Sequence, residues 1–425
     1  MSLPAPTTTH PIRIFLIGVL ATTLILAGLV VTGVAFTLAI TSIQSDSHQS
    51  AIAPFYVPPA GWQEHPAGTL LRSQRIEGVP AEGVGWRILY VTQRADGAPA
   101  VSSGLVFAPG QSAPPPPAGG RPVVAWAHPT VGMGSSCAPS RSGDPSGTVS
   151  GLSDFLRSGW VVAATDYAGL GTPGVTQYLI GAAEAHDVLN SVRAARQIPQ
   201  AAAGTTMAVW GHSQGGHAAL WTADDRRYAP ELHVIAAAAA APAAELPVLI
   251  SHQWNTIYGS LIGAEVLVSY PSSYPGLLAA QVSARSTADI TGLATACVQR
   301  AAIDIVVASA FGGSSLLDKD PLRMPAWARA ISANTPPPPD IPTMIVQGLA
   351  DPIVLPGSTA TYLEQACATG APMAGAFIGG LGHIGAGKAA APLVSTWLQQ
   401  RFSGQPAQST CHTMLPIAPL RVATP

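Results

Sequence analysis

One pentapeptide, Gly211-His212-Ser213-Gln214-Gly215, fits the pattern G-x-S-x-G, and no other segment of the 425 residues does. A strand-like stretch (Thr206 to Trp210) precedes it and a helix-like stretch (Gly216 through Ala223) follows it. In this pattern a serine stands on a tight strand-to-helix turn, where glycine neighbours leave room for the chain. The turn exposes the hydroxyl and directs the first helical amides toward a reacting carbonyl. Ser213 is therefore predicted to be a nucleophile, the alternative being a plain glycine-rich turn.

A serine hydroxyl needs a neighbouring base to take its proton, and an acidic residue usually orients that base. In proteins with this turn, the acid and then the histidine follow the serine along the chain. His383 lies in a glycine-rich turn after a strand-like stretch, Met373 to Ile378, and is the predicted base. Asp351 follows the strand-like Met344-Ile345-Val346 and is the predicted acid. His412 is the alternative base.

Attack on a carbonyl creates an oxyanion that needs two hydrogen-bond donors. One donor should be the backbone N–H of Gln214, the residue after the nucleophile. The second comes from the loop after an earlier strand, and the loop from His128 to Gly132 fills that position. Pro129 has no N–H, so Thr130 is the predicted second donor. The alternative is that this loop is only a structural turn.

A second glycine-rich segment, from Gly169 to Gly174, matches the dinucleotide pattern G-x-G-x-x-G. That site also needs an acidic residue about 20 positions later, at the end of the next strand. Asp187 lies near that distance but inside a helix-like stretch, which disfavours a dinucleotide site. The chain has no Cys-x-x-Cys pair for a metal, and its net charge is -2. We expect no cofactor, no metal ion and no nucleic-acid partner.

The elements around these residues are short apolar runs that alternate with helix-like stretches. This alternation is typical of a parallel sheet covered by helices on both faces, so the fold class is α/β. Residues 245–335 are mostly helix-like, and the strand pattern resumes at Thr343. The predicted organisation is a core of residues 46–244 and 336–425, with an inserted helical cap, or lid, at 245–335.

The N-terminal residues 1–45 contain a long apolar run. From Ile14 to Ser45 there is no charged residue. About 20 apolar residues cross the hydrocarbon core of a bilayer, whereas a signal-peptide core has about 7–15. The run therefore favours a retained transmembrane anchor, and Arg13 before it predicts a cytoplasmic N-terminus. The alternative is a cleaved signal segment that ends near Ala51-Ile52-Ala53. Both interpretations place the rest of the chain outside the cytoplasm.

The four cysteines agree with export. Cys137, Cys297, Cys367 and Cys411 are widely spaced, and an even count in an oxidising compartment predicts two disulfides. The residues alone leave three pairings open. The alternative is four buried free thiols.

Together these features make the chain resemble the secretory lipase family that includes the fungal lipase A type, in its bacterial branch. The motifs that carry the resemblance are Phe55-Tyr56, Gly68-Thr69-Leu70-Leu71-Arg72, Cys137-Ala138-Pro139-Ser140, Asp166-Tyr167-Ala168-Gly169-Leu170-Gly171-Thr172 and Gly211-His212-Ser213-Gln214-Gly215. The resemblance implies an α/β-hydrolase core, a helical lid, and hydrolysis of acylglycerols and other carboxylic esters without a cofactor. The family's acid and base match Asp351 and His383. The resemblance also implies the pairings Cys137–Cys297 and Cys367–Cys411.

The expected function is therefore that of an exported ester hydrolase, anchored or secreted, that acts on lipid esters through an acyl-enzyme on Ser213. Alternatives with the same triad are an acyltransferase and a short-chain esterase. An alternative of another class is a non-catalytic lipid-binding surface protein. The apolar side chains of the cap favour medium or long acyl chains.

Overall fold

The computed structural model describes residues 47–298 and 316–423, in which a nine-stranded sheet has the order β1-β2-β3-β5-β4-β6-β7-β8-β9. β1, β2, β3 and β5 pair antiparallel in that order, and every later pair of neighbours is parallel. The predicted α/β class with a mostly parallel sheet is confirmed. The strands are β1 (Leu70–Ile76), β2 (Val84–Gln93), β3 (Pro99–Ala108), β4 (Arg121–Ala127), β5 (Val161–Thr165), β6 (Ala203–His212), β7 (His233–Ala240), β8 (Thr343–Gly348) and β9 (Met373–Ile378).

Helices cover both faces of this sheet, as an α/β protein requires. They are α1 (Leu152–Arg157), α2 (Gly181–Ala195), α3 (Gln214–Asp224), α4 (Leu246–Gln253), α5 (Ile257–Ser273), α6 (Thr287–Thr295), α7 (Pro325–Ala333), α8 (Pro356–Ala368) and α9 (His383–Phe402). Helices α4 to α7 lie between β7 and β8 along the chain, in the stretch that the sequence predicts to be helix-like.

Strand β7 packs against helices on both faces of the sheet. Its residues Ala236 to Ala240 are all fully buried. Successive side chains of a strand point to opposite faces, so Ala236 and Ala238 pack in the hydrophobic cluster that includes Ala390 of α9. Ala237 packs in the cluster on the other face, together with Ala219 of α3. Small side chains thus let both helices approach the strand that ends beside Ser213.

The helices between β7 and β8 pack through aromatic side chains. Tyr270 of α5 stacks on Trp327 of α7, with 6.1 Å between ring centroids and 10° between planes. Both rings are fully buried, and they belong to the same hydrophobic cluster as Trp210 of β6. The helices between β7 and β8 are therefore packed continuously with one face of the sheet.

One helix begins later than the sequence predicts. From Tyr178 to Arg196 the sequence has apolar residues at helical spacing, which predicts a helix from Tyr178, whereas α2 begins at Gly181. The reason is Leu179, whose φ of 52° is left-handed and incompatible with a right-handed helix. Tyr178 and Leu179 therefore form a turn, and both line the cavity described below.

The predicted N-terminal anchor or signal, residues 1–45, lies outside the described residues. Within residues 47–298 and 316–423, no helix is both long and apolar enough to cross a bilayer. That finding concerns only the part of the chain that follows the predicted segment.

Candidate active site

Ser213 stands on the predicted turn between β6 and α3. Its φ of 58° and ψ of -116° are unusual for a residue with a side chain. The flanking glycines make the turn possible. A Cβ atom on Gly215 would lie 1.9 Å from the carbonyl oxygen of Ala127, and one on Gly211 would lie 1.9 Å from the oxygen of Gly215. Any larger residue would therefore push the serine out of position.

The structure brings the three predicted triad residues together. Asp351 lies after β8, and His383 is the first residue of α9, in the turn after β9. The His383 Nε2 atom lies 2.8 Å from Ser213 Oγ, and its Nδ1 atom lies 2.8 Å from Asp351 Oδ2. The alternative base, His412, is an exposed residue of the C-terminal tail. A serine, an imidazole and a carboxylate thus form one hydrogen-bonded chain.

The Asp351 carboxylate is fixed by several donors. Its Oδ1 atom accepts the backbone N–H groups of Ile353 at 2.9 Å and Val354 at 3.0 Å. Its Oδ2 atom accepts the side-chain amide of Gln347 at 3.2 Å, in addition to His383. Because a carboxylate only accepts, Nδ1 of His383 carries a proton and Nε2 is free to take the proton of Ser213.

A second histidine, His212, which the sequence did not single out, is hydrogen-bonded to the backbone of His383. His212 Nε2 donates to the backbone oxygen of His383 at 3.0 Å. Burial, and then the nearby His383, lower the pKa of His212 to about 3. His212 is therefore a neutral donor over the whole neutral range. The only sequence signal for His212 was its place as the second residue of the G-x-S-x-G pattern.

Gln214 is the first residue of α3, so its backbone N–H has no acceptor within the helix. Gln214 lines the same cavity as Ser213. Thr130 lies in the loop after β4, and its hydroxyl is 2.8 Å from the hydroxyl of Tyr178. Tyr178 also lines that cavity, whereas Thr130 does not belong to its lining. The role of Thr130 as the second oxyanion donor stays a prediction.

A cavity opens directly onto Ser213. It encloses about 860 Å³ of space without atoms, including the part open to solvent at its mouth. Apart from Ser213, Gln214 and Gln253, its walls are almost entirely apolar. The main lining residues from helices α4, α5 and α7 are Leu246, Leu249, Ile250, Ile262, Val266, Leu267, Tyr270, Trp327 and Ile331. An apolar group of a molecule that is held at Ser213 would fit this space.

The two disulfides have the pairings that the resemblance implies. Cys137 is bonded to Cys297, which joins the loop region after β4 to the end of α6. Cys367 of α8 is bonded to Cys411 of the C-terminal tail. Beside Cys411, the backbone N–H of Thr410 donates to Met373 of β9. The second disulfide therefore fixes the tail against the strand that leads to His383.

The glycine-rich segment after β5 is a turn held by internal contacts. Thr172 accepts the N–H of Gly169 at 3.0 Å and donates to the oxygen of Val101 at 2.7 Å. Asp187 lies within α2 and accepts the N–H of Ala168 at 2.8 Å. The Asp187 carboxylate therefore helps to fix the glycine-rich turn after β5. Among the described residues there is no group of three or more His, Cys, Asp or Glu side chains that could hold a metal ion.

Known proteins match this chain over most of its length. A "probable inactive lipase" of Mycobacterium tuberculosis is 26% identical over 384 residues, which cover 83% of this chain and 82% of that protein. Lipase 4 of Candida albicans is 25% identical over 394 residues, covering 84% and 83% of the two chains.

The solved structure of Candida antarctica lipase A in its closed state has a TM-score of 0.68 and 19% identity, over 87% of this chain and 89% of that one. This likeness shows the α/β-hydrolase fold. A model of the secretory lipase family matches residues 148–410, well over half of the 425 residues. On this match, the chain belongs to the secretory lipase family.

Proposed function

We propose that this protein hydrolyses carboxylic esters through an acyl-enzyme on Ser213. The observation that carries the proposal is the chain of 2.8 Å hydrogen bonds from Ser213 to His383 to Asp351. His383 takes the proton of Ser213 as the serine oxygen attacks the ester carbon, and Asp351 stabilises the imidazolium that forms. The same proton then passes to the leaving alcohol. Water repeats the sequence and releases the carboxylic acid.

The oxyanion of each tetrahedral intermediate needs donors that are already in place. The N–H of Gln214 is suited to this role because it lies at the start of α3, beside the nucleophile. The Thr130 N–H is the second donor in this proposal. Its hydroxyl contact with Tyr178 supports the role, because the contact ties the loop after β4 to the cavity wall.

The proposed substrates are acylglycerols or related lipid esters with medium or long acyl chains. The apolar cavity beside Ser213 supports this, since each buried methylene contributes about 0.8 kcal/mol. The exposed side chain of Ile384, next to His383, also supports it, because 90% of its surface is accessible and it could contact lipid. Relatives whose names describe triacylglycerol lipases agree with this substrate class.

Residues 245–335 act as the cap in this proposal, and residues 46–244 and 336–425 as the catalytic core. The family is a secretory one, which supports action outside the cytoplasm. Residues 1–45 would then either anchor the enzyme to the membrane or direct its secretion.

A non-catalytic lipid-binding role is the second candidate, because one relative is described as a probable inactive lipase. In this chain, however, serine, histidine and aspartate are all present and within hydrogen-bond distance of one another. A protein that had lost catalysis would have no need to keep this geometry, so hydrolysis is the better supported function.

The test is turnover of p-nitrophenyl esters, from acetate to palmitate, by the wild type and Ser213→Ala. We expect the wild type to hydrolyse medium or long esters and the variant to lose nearly all activity while its circular dichroism spectrum is unchanged. A well-folded wild type without turnover on any ester would overturn the proposal and favour the lipid-binding role.

A further inference from the structure

A buried carboxylate lies directly behind the nucleophile turn, outside the triad. Glu184 of α2 is 1% exposed. Its Oε1 atom accepts the side-chain amide of Gln214 at 2.9 Å and the backbone N–H of Leu179 at 3.0 Å. Its Oε2 atom lies 2.7 Å from Nδ1 of His217 in α3. One side chain thus holds the residue after the nucleophile and part of the cavity wall.

The partner of Glu184 determines the charge of this cluster. His217 is fully buried, and its Nε2 atom lies 2.7 Å from the backbone oxygen of Asn334. A carbonyl oxygen only accepts, so Nε2 of His217 carries a proton. The 2.7 Å contact with Glu184 then needs one further proton, on either the imidazole or the carboxyl group. In both cases the pair has no net charge.

The neutrality of the Glu184–His217 pair matters because negative charge develops nearby during the proposed reaction. A carboxylate without a partner at this depth would be costly to bury and would repel an oxyanion held by Gln214. With His217 as its partner, Glu184 can accept hydrogen bonds from the nucleophile turn without adding a net negative charge to the site.

The same cluster reaches the last cap helix. Asn334 lies at the end of α7, and its side-chain amide donates to the hydroxyl of Tyr274 at 2.6 Å, just after α5. Its side-chain oxygen accepts the N–H of Gly181 at 2.9 Å. The hydrogen bonds therefore run without a gap from Gln214 to the point where the chain returns from the cap to the sheet.

We propose that Glu184 is a positioning residue that holds Gln214, and with it the oxyanion-binding N–H, through the neutral pair with His217. The inference rests on the proposed ester hydrolysis and adds a residue to it. A small displacement of an oxyanion donor lowers stabilisation of the transition state more than binding of the ground state. Loss of Glu184 should therefore lower kcat and leave KM nearly unchanged.

The test compares two variants of similar size in the full-length protein. In Glu184→Gln, the amide oxygen can accept from Leu179 and Gln214, and the amide nitrogen can donate to Nδ1 of neutral His217. Glu184→Met has none of these bonds. We expect Glu184→Gln to keep kcat within about twofold, and Glu184→Met to lose at least about tenfold, with KM within about threefold. Rates are expressed per active site titrated with a fluorophosphonate, so that partial misfolding does not count as lost kcat.

Gln214→Ala removes the same hydrogen bond from the other side and keeps the backbone N–H. It should also lower kcat, by no more than Glu184→Met does, because Glu184→Met loses the bonds to Leu179 and His217 as well. The double variant should be no slower than the slower single variant, because both changes include loss of the Glu184–Gln214 hydrogen bond. Thr222→Val is the matched control, since it removes a buried hydrogen bond elsewhere in α3 and should leave kcat unchanged.

Three outcomes would overturn the inference without affecting the proposed function. One is a wild-type kcat per titrated site in Glu184→Met, which would mean a purely structural role. Another is independent, additive losses in the double-variant cycle. If Glu184→Met does not fold, a wild-type kcat in Gln214→Ala would overturn the inference instead. A wild type with neither turnover nor labelling would instead overturn the proposed function, and this inference with it.

Discussion

The two walls of the cavity are built on different principles. On the sheet side, Ser213, His383 and Asp351 are joined by directional hydrogen bonds of 2.8 Å. On the cap side, side chains such as Ile262 and Trp327 form an apolar surface. A hydrogen bond depends steeply on distance and angle, whereas burial of apolar surface does not depend on direction.

Because one wall acts through directional hydrogen bonds and the other through apolar burial, we expect the two walls to determine different properties of the enzyme. The sheet side should determine the proposed reaction, because that reaction needs a proton to move between atoms whose positions are set by directional hydrogen bonds. The cap side fixes which substituent fits, because it offers volume and apolar area. Changes on the sheet side should therefore act on every ester alike, and changes on the cap side should act on some esters and spare others.

The largest effect is expected from Asp351→Asn on the sheet side. The Asn oxygen can still accept from Ile353 and Val354, but its NH₂ group would face the Nδ1 atom of His383. The imidazole would then carry its proton on Nε2 and could not accept one from Ser213. We expect kcat to fall by about a thousandfold or more for all acyl lengths, measured by steady-state kinetics.

Asp340→Asn is the control for that change. Asp340 is an exposed acid paired with Arg226 on the surface, and its loss should leave turnover unchanged. An Asp351→Asn variant that keeps a tenth of the wild-type kcat would contradict the assigned role of the acid.

The cap side is tested by acyl length. We expect kcat/KM to rise from acetate to medium or long esters, since additional methylenes are buried in the cavity. Val266→Trp, which fills part of the space lined by α5, should lower kcat/KM for long esters by about tenfold and leave butyrate nearly unaffected. Val57→Trp, at an exposed valine outside the cavity, is the matched control.

A steady fall of kcat/KM beyond butyrate in the wild type would mean a short-chain esterase. An equal loss for all esters in Val266→Trp would mean that the cap wall also affects the reaction, which would remove the distinction between the two walls.

The Cys367–Cys411 disulfide supports the sheet side through the tail that borders β9. Its residues are separated by 44 positions, for which the loop-entropy model gives about 4 kcal/mol. Replacement of both cysteines by alanine should lower the free energy of unfolding by about 2–5 kcal/mol in denaturant titrations. Activity should also fall, because β9 leads into the turn that carries His383. Unchanged stability together with unchanged activity would contradict this.

The smallest effect concerns a buried acid of α2. Burial raises the pKa of Asp187 from 3.8 to about 7. Between about pH 4 and pH 7, the folded state holds a proton on Asp187 that the unfolded state has lost. The stabilisation that this proton gives is complete below about pH 4 and is lost as the pH rises through 7. Asp187→Asn does not titrate. Its stability relative to wild type should therefore improve by about 1–3 kcal/mol from pH 5 to pH 8. A difference that is independent of pH would contradict the raised pKa.

The parts of the site that were predictable from sequence are those set by local chain geometry. The turn at Ser213 requires glycines within two residues, so a short pattern reveals it. Asp351 and His383 were predictable because each follows a strand, and the order of strands places their ends at one edge of the sheet.

The contacts that were missed join residues far apart in the chain. The donor of the His212 bond and its acceptor in His383 are 171 positions apart, and no local pattern connects them. The pairing of Glu184 with His217 depends on how α2 packs against α3. The late start of α2 depends on the left-handed backbone of Leu179, which the apolar spacing did not reveal. The shape of the cavity likewise depends on packing among helices that the sequence predicts only one at a time.

The central claim is that Ser213 is the nucleophile of an active hydrolase, and labelling with a fluorophosphonate tests it most directly. Such a probe reacts with a serine only when a neighbouring base activates it. The account predicts one label per folded molecule, located by peptide mass spectrometry on Ser213 and absent from both Ser213→Ala and His383→Ala. A label on another residue, or no label on a well-folded wild-type protein, would contradict it.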